Sequence, residues 1–329
     1  MQALPDFDDV LKAQARIARQ ASHTPLVEFV ELNARAGRRV LLKLENLQRT
    51  GSFKFRGAYN LVSEIAAAEP GRPVVAYSSG NHAQAVAAAA ALCGLEATIV
   101  MPADAPAIKR ERTARYGAGI VLYDRLTEDR EAIARRIAEE RDAAIVPPYD
   151  HPRIIAGQGT VGLELAEEAE RQGVALSQVL VPASGGGLIA GIALAMAARV
   201  PEARIYAVEP AGFDDLARSL KSGRRERNAA AGGSICDALL VRTPGEMTFK
   251  INRRLLAGGL AVTDEEVRAA VGFGFNELKL VLEPSGAAGL AALLAGKVEV
   301  QGGDIAVVLT SGNVDPGLFA AIIAGERPS

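Results

Sequence analysis

With 329 residues, 49% of them hydrophobic, the chain can bury an extensive core, and at about twice the usual single-domain length it predicts one large or two moderate domains. A net charge of -2 and a pI near 6.1, with no basic runs interleaved with aromatics, argue against a nucleic-acid or membrane-surface protein. Two cysteines, Cys93 and Cys236, in no metal-type spacing argue against a disulfide framework or a zinc site. The acidic Met1–Asp9 start lacks the apolar region of a signal peptide, and no apolar run approaches the ~18 residues of a membrane span, so a soluble cytoplasmic protein is expected.

In chain order, Asp8 to Gln20 spaces Val10, Leu11 and Ile17 as an outer helix does. Val40–Leu44 reads as a strand, and the stretch Gly51-Ser52-Phe53-Lys54-Phe55-Arg56-Gly57 leads from it into a helix over about 54–67. Strands at 73–77, 97–101 and 119–123 then alternate with helices at 83–93, 108–116 and 128–141. Three prolines within Val146–Pro152 read as a crossing between lobes, followed by a long helix from about Gly159 to Gln172. A second series has strands at 178–182 and 204–208, a helix at 188–199 and a last strand at 305–309. The Gly-, Arg- and Ala-rich part from about Ser222 to Gly245 reads as a surface excursion. This rhythm predicts an α/β protein of two lobes, each with a mainly parallel sheet flanked by helices.

Lys54, between two phenylalanines at a strand-to-helix junction, is poorly placed for an ammonium ion. Desolvation lowers a lysine pKa, and the neutral amine is the form that attacks a carbonyl to give a Schiff base. Ser184-Gly185-Gly186-Gly187, between a strand and a helix, is a phosphate cradle in type, because small residues let backbone N–H groups converge where the helix dipole favours an anion. Ser78-Ser79-Gly80-Asn81-His82 and Thr310-Ser311-Gly312-Asn313 are two further polar turns at strand carboxyl ends, the edge where open α/β sheets bind ligands. Together these features predict a phosphorylated, carbonyl-bearing cofactor joined to Lys54, a description that pyridoxal phosphate meets.

Eight segments resemble one family in its order: Lys43–Gln48, Ser52–Ala58, Ser78–His82, Ala156–Thr160, Ser184–Gly187, Val208–Pro210, Glu283–Gly286 and Ser311–Asp315. They are similar to the threonine/serine dehydratases and serine racemases, the fold-type II pyridoxal phosphate enzymes, over nearly the whole chain. The resemblance implies a large cofactor-binding domain of residues 1–66 and 151–329 and a small domain of 67–150. It implies Lys54 as Schiff-base lysine and general base, Phe53 beside the ring, Asn81 on the phenolic oxygen, and Ser184, Gly185, Gly186, Gly187 and Leu188 on the phosphate. Thr310 falls where the family sets a hydroxyl against the pyridine nitrogen. Ser78, Ser79, Asn81 and His82 would hold the substrate carboxylate, and Ser79 stands where racemases place a second acid/base. Glu209, the Phe213 carbonyl and Asp215 resemble a divalent-cation site for Mg²⁺ or Ca²⁺. Tyr149 lies where relatives vary and is expected toward the substrate's β-substituent. His23 and His151 are expected to be structural.

The expected activity is β-elimination from L-threonine and/or L-serine to a 2-oxo acid and ammonia. Serine racemization, or dehydration of a related substrate such as 3-hydroxyaspartate or a hydroxyectoine breakdown product, is the alternative. A nicotinamide oxidoreductase is excluded for want of a G-x-G-x-x-G turn followed by an acid. The short stretch after the last strand leaves no room for a C-terminal amino-acid-sensing domain, which fits a catabolic enzyme, and relatives imply a homo-oligomer.

Overall fold

The computed structural model describes residues 3–105, 107–230, 232–299 and 302–326. In chain order the elements are α1 (Phe7–Ile17), β1 (Leu26–Glu28), α2 (Val30–Ala36), β2 (Val40–Leu44), α3 (Lys54–Ala68), β3 (Val74–Tyr77), α4 (Asn81–Cys93), β4 (Ala97–Pro102), α5 (Ala107–Ala114), β5 (Gly119–Tyr123), α6 (Arg130–Arg141) and β6 (Ala144–Ile145). They continue with α7 (Pro152–Arg171), β7 (Leu176–Pro182), α8 (Gly187–Arg199), β8 (Arg204–Pro210), α9 (Asp215–Ser222), α10 (Glu246–Leu255), β9 (Gly258–Val262), α11 (Asp264–Asn276), α12 (Pro284–Leu294), β10 (Asp304–Leu309) and α13 (Pro316–Ile323).

Among the described residues the strands form two sheets. The larger has the order β1-β2-β10-β7-β8-β9, parallel except for the antiparallel β1–β2 pair. The smaller, β5-β4-β3-β6, is parallel throughout and comes from one uninterrupted stretch of chain. Strand β2 is buried along its whole length and β10 along all but its first residue, as expected for parallel strands covered by helices on both faces. This is the two-sheet α/β architecture expected from the alternation of strands and helices.

Helix α7 begins at Pro152, two turns before the expected start near Gly159. The proline sits at the first helical position, where its missing N–H costs nothing, and His151 Nδ1 caps the helix by accepting from the Arg153 N–H at 3.2 Å. The stretch from 222 to 245 is not wholly a surface excursion, since Cys236 and Asn228 are buried within it. Helix α7 packs closely on α3 through facing glycines: a Cβ on Gly157 would lie 2.7 Å from the Gly57 Cα. That contact fixes the helix whose first residue is Lys54.

The same helix is anchored by a buried charge cluster. Arg56, fully buried, donates from Nε and Nη2 to the two oxygens of Glu45, both at 2.8 Å. It also donates from Nη1 and Nη2 to Glu164, at 2.6 and 2.8 Å, while Lys43 Nζ meets Glu164 at 2.6 Å. Two cations and two carboxylates therefore balance. Burial alone would lower the Arg56 pKa, but Glu45 and Glu164 hold it above its ordinary value.

Candidate active site

The polar turns after β3, β7 and β10 and the start of α3 converge at the carboxyl ends of the two sheets. An isolated bridge joins Ser52 to Ser311, and the Phe53 N–H donates to the Thr310 carbonyl at 3.1 Å. Thr310 is buried and its own N–H donates to the Gly286 carbonyl at 3.3 Å. The chain thus ties the Lys54 stretch to the last turn through backbone alone.

Lys54 does not lie between its two phenylalanine neighbours. Phe53 packs against the core of the large sheet, whereas Phe55 enters the core of the small sheet and stacks on Tyr59 at 5.6 Å. Adjacent residues at a helix start point in different directions, so the lysine emerges at the seam between the two cores. Its Nζ donates to the Pro148 carbonyl at 2.7 Å and lies 5.1 Å from the Phe53 ring centroid. With no carboxylate partner among the described residues, its pKa is lowered by desolvation to about 8.

The Ser184–Leu188 turn fits a phosphate. Its carbonyls are held from behind by α10 and the residue before it: Thr248 Oγ1 and the Gly245 N–H donate to the Gly185 carbonyl at 2.6 and 3.2 Å, and Asn252 Nδ2 donates to Gly186 at 3.2 Å. The N–H groups of Gly185, Gly186, Gly187 and Leu188 meet no acceptor among the described residues, and no side chain caps α8. Gly186 has φ +88°, and a Cβ there would come within 2.6 Å of Asn252 Nδ2, so this backbone requires glycine. Unpaired amides at a helix N-terminus, together with a lysine whose pKa is lowered, form the donor set that pyridoxal phosphate needs. Tyr149 leans on the same turn, since a Cβ on Gly185 would fall 2.5 Å from its ring, and burial pushes its phenol up to about 12.

In the turn after β3, Ser78 Oγ accepts from the Gly80 N–H at 3.2 Å, while the half-buried Ser79 hydroxyl pairs with no described residue. Asn81 Nδ2 donates to Glu283 Oε1 at 2.6 Å, and its Oδ1 accepts from Asn313 Nδ2 at 2.8 Å. Glu283 is buried. Burial first, and then the charge of Asp237, push its pKa up to about 7, against the pull of Lys109 and of hydrogen bonds from Ser311 and Asn81.

His82 corrects an expectation. It is 2% exposed, and Nε2 lies 2.9 Å from the Val146 carbonyl, which can only accept, so the ring's proton sits on Nε2. The buried Nδ1 has no partner among the described residues and can only accept, so the side chain cannot donate to a substrate carboxylate. Burial, with Lys54 nearby, depresses its pKa to about 3. Above pH ~6.5 the imidazole is neutral in both folded and unfolded chains. Between there and pH about 3 only the unfolded chain takes up the proton, so this residue alone removes about 1.4 kcal/mol of stability per pH unit. In urea unfolding, His82→Asn should therefore close its gap to the parent by about that amount per unit between pH 6 and 4. A pH-independent gap would show that His82 charges freely in the folded protein.

The divalent-cation expectation at Glu209, Phe213 and Asp215 is not supported. Both Glu209 oxygens accept from backbone N–H groups of α9, Leu216 at 3.0 Å and Ala217 at 2.8 Å, so this carboxylate serves the helix N-terminus. Asp215 Oδ1 accepts from Asn228 Nδ2 at 2.6 Å. Burial raises both pKa values, that of Asp215 to about 6, and Asp215 adds to the rise at Glu209. Among the described residues no group of three or more His, Cys, Asp or Glu side chains is arranged to hold a metal.

Four neighbours of the site were not singled out by sequence reasoning. Lys109 and Arg112 on α5 reach Asp237 at 2.6 Å and Asn313 at 3.2 Å. Glu283 lay within a recognised motif but carried no role. Arg130, at the start of α6, lies over the Tyr77 ring at 5.5 Å, and its charge is felt at His82 and Tyr149.

Comparison with known proteins points to the same cofactor. The family described as pyridoxal-phosphate dependent enzyme matches residues 17–312. An L-threo-3-hydroxyaspartate ammonia-lyase of Saccharomyces cerevisiae is 42% identical over 98% of both chains. The crystal structure of a T.th. threonine deaminase has a TM-score of 0.88 at 42% identity, over 94% of this chain and 99% of that one. Maize serine racemase has a TM-score of 0.91 at 37% identity, over 98% of each chain. The chain belongs to the pyridoxal-phosphate dependent enzymes of fold type II, in the family of threonine dehydratases and serine racemases.

Proposed function

We propose that the protein is an ammonia-lyase that removes the β-hydroxyl and α-amino groups of an L-β-hydroxy amino acid, with L-threo-3-hydroxyaspartate preferred over L-threonine and L-serine. The observation that carries the reading is the desolvated Lys54 amine, with a pKa of about 8, bonded to the Pro148 carbonyl next to Tyr149, whose ring packs on a turn of unpaired backbone N–H groups. Lys54 would hold pyridoxal phosphate through its amine, with Phe53 beside the ring, Ser184–Leu188 around the phosphate, Asn81 on the phenolic oxygen and Thr310 at the pyridine nitrogen. When bound, the cofactor supplies an electron sink for the pair left at the substrate Cα. Ser78, Ser79 and the N-terminal N–H groups of α4 orient the substrate carboxylate. Lys54 Nζ, freed by the substrate amine, takes the α-proton, and its lowered pKa keeps a useful fraction neutral near pH 7. The β-hydroxyl departs as water, taking with it the proton that Lys54 Nζ has accepted, and hydrolysis of the released enamine gives a 2-oxo acid and ammonia.

Two observations favour a dicarboxylic substrate, so the order of substrates expected from sequence changes. One is the similarity to the yeast lyase across 98% of both chains, which the T.th. threonine deaminase equals in identity but over 94% of this chain. The other is Arg130: among the described residues no carboxylate lies within ion-pair distance of its guanidinium, leaving it to meet a second carboxylate beside Tyr149 and Tyr77. The large domain of 1–66 with 151–329, the small domain of 67–150, a homo-oligomeric state and a cytoplasmic location belong to the same proposal. Two free cysteines, one of them buried, fit a reducing compartment, and no described helix is long and apolar enough to cross a membrane.

The test is 2-oxo acid release by the pyridoxal phosphate-loaded protein from L-threo-3-hydroxyaspartate, L-threonine and L-serine. The reading expects kcat/KM at least about tenfold higher for the dicarboxylate, an advantage lost in Arg130→Ala, as a charge-assisted contact is worth that much. Threonine used as well as hydroxyaspartate would overturn the substrate order. D-serine formed from L-serine as fast as pyruvate would overturn the lyase in favour of a racemase using the unpaired Ser79 hydroxyl.

A further inference from the structure

An asparagine amide has nearly the same shape in its two flipped orientations, so its partners decide which end faces a ligand. At Asn81 that decision can be traced across the site. Arg112 on α5 is a pure donor, and its Nη1 donates to Asn313 Oδ1 at 3.2 Å. With its oxygen so fixed, Asn313 must donate from Nδ2, and both hydrogens find acceptors, the Thr50 carbonyl and Asn81 Oδ1, each at 2.8 Å. That contact fixes the Asn81 oxygen in turn and directs its Nδ2 to Glu283 Oε1 at 2.6 Å. Glu283 offers an acceptor oxygen whether ionised or protonated. One Asn81 N–H remains, with no acceptor among the described residues.

We propose that Arg112 and Asn313 are positioning residues that set the Asn81 amide so that it presents an N–H, and not its oxygen, to the phenolic oxygen of pyridoxal phosphate. The inference rests on the cofactor reading above and extends it to residues that touch neither cofactor nor substrate. Helix α5 is held independently by Lys109, one turn earlier, through its 2.6 Å pair with Asp237. Removing the Arg112 guanidinium therefore takes away an orienting donor without releasing the helix.

Asn313→Asp keeps the shape but has no N–H to give. It accepts from Arg112 and from a flipped Asn81, turning the Asn81 oxygen toward Glu283 and the cofactor. Equilibrium dialysis against pyridoxal phosphate, read with the visible absorbance of the bound cofactor, tests this. Asn313→Asp is expected to weaken cofactor binding about tenfold or more and to move the absorbance maximum or its pH midpoint. Arg112→Met should weaken binding several-fold with a spectral change in the same direction, and Arg112→Lys, which keeps a donor, should recover most of the loss. Parent affinity and parent spectrum in Arg112→Met would overturn the proposal, and that variant decides the matter should Asn313→Asp fail to fold. A parent protein that takes up no cofactor would instead overturn the function proposed above.

Discussion

Lys54→Ala is expected to lower kcat/KM by at least about 10³-fold, because in the proposed function one side chain both carries the cofactor and removes the α-proton. The fold should survive the change. The amine makes one hydrogen bond, to the Pro148 carbonyl, and alanine is at least as good a helix former at the start of α3. Thermal unfolding should therefore show a midpoint equal to or above that of the parent, since a desolvated amine has been removed. The pH dependence of cofactor uptake by the parent checks the same residue. A pKa of about 8 leaves roughly a tenth of the amine neutral at pH 7, against about one part in three thousand at the ordinary value. The neutral fraction grows as pH rises, so uptake should quicken up to pH about 8 and then level off. A Lys54→Ala enzyme within tenfold of the parent, still folded, would contradict the role.

Arg56→Met, two residues further along, should do the opposite: leave the chemistry untouched where the protein folds, and cost on the order of 3–5 kcal/mol of stability in denaturant titration. The reason is charge balance without water. Arg56 donates to both oxygens of Glu45 and both of Glu164, and its removal leaves two buried carboxylates facing Lys43 alone. Arg56→Lys should rescue little of this, since an ammonium cannot bridge two carboxylates with paired, planar contacts. Pairing Arg56→Met with Glu45→Gln should recover part of the loss by removing one stranded charge. A loss below about 1 kcal/mol for Arg56→Met would mean that water or another cation reaches the cluster.

The parts of the structure legible in the sequence were those written in local pattern. Short apolar runs such as Val40–Leu44 and Gly119–Tyr123 became strands with the expected bounds, the first buried throughout as a central parallel strand and the second an edge strand of which only Tyr123 is buried. The start of α7 was hidden because proline is read as a breaker, although at the first turn it is a helix former. Strand β9 carries two glycines and has only its last residue fully buried, so its sequence offers almost no periodic signal. Motifs at strand ends singled out Lys54 and the Ser184–Leu188 turn, but not what surrounds them. Asn81 meets Glu283 across 202 positions and Arg112 meets Asn313 across 201, and only the folded chain brings such partners together. His82 shows the same limit in reverse. The sequence identified a polar residue at the right turn, but the Val146 carbonyl decides which of its nitrogens carries the proton.

Borohydride reduction of the pyridoxal phosphate-loaded protein, followed by peptide mapping, tests the central claim most directly. The account predicts one pyridoxyl group per chain, on Lys54 Nζ, and its disappearance when Lys54 is replaced. Label on another lysine, or none on a protein that still releases 2-oxo acid from its substrate, would contradict it.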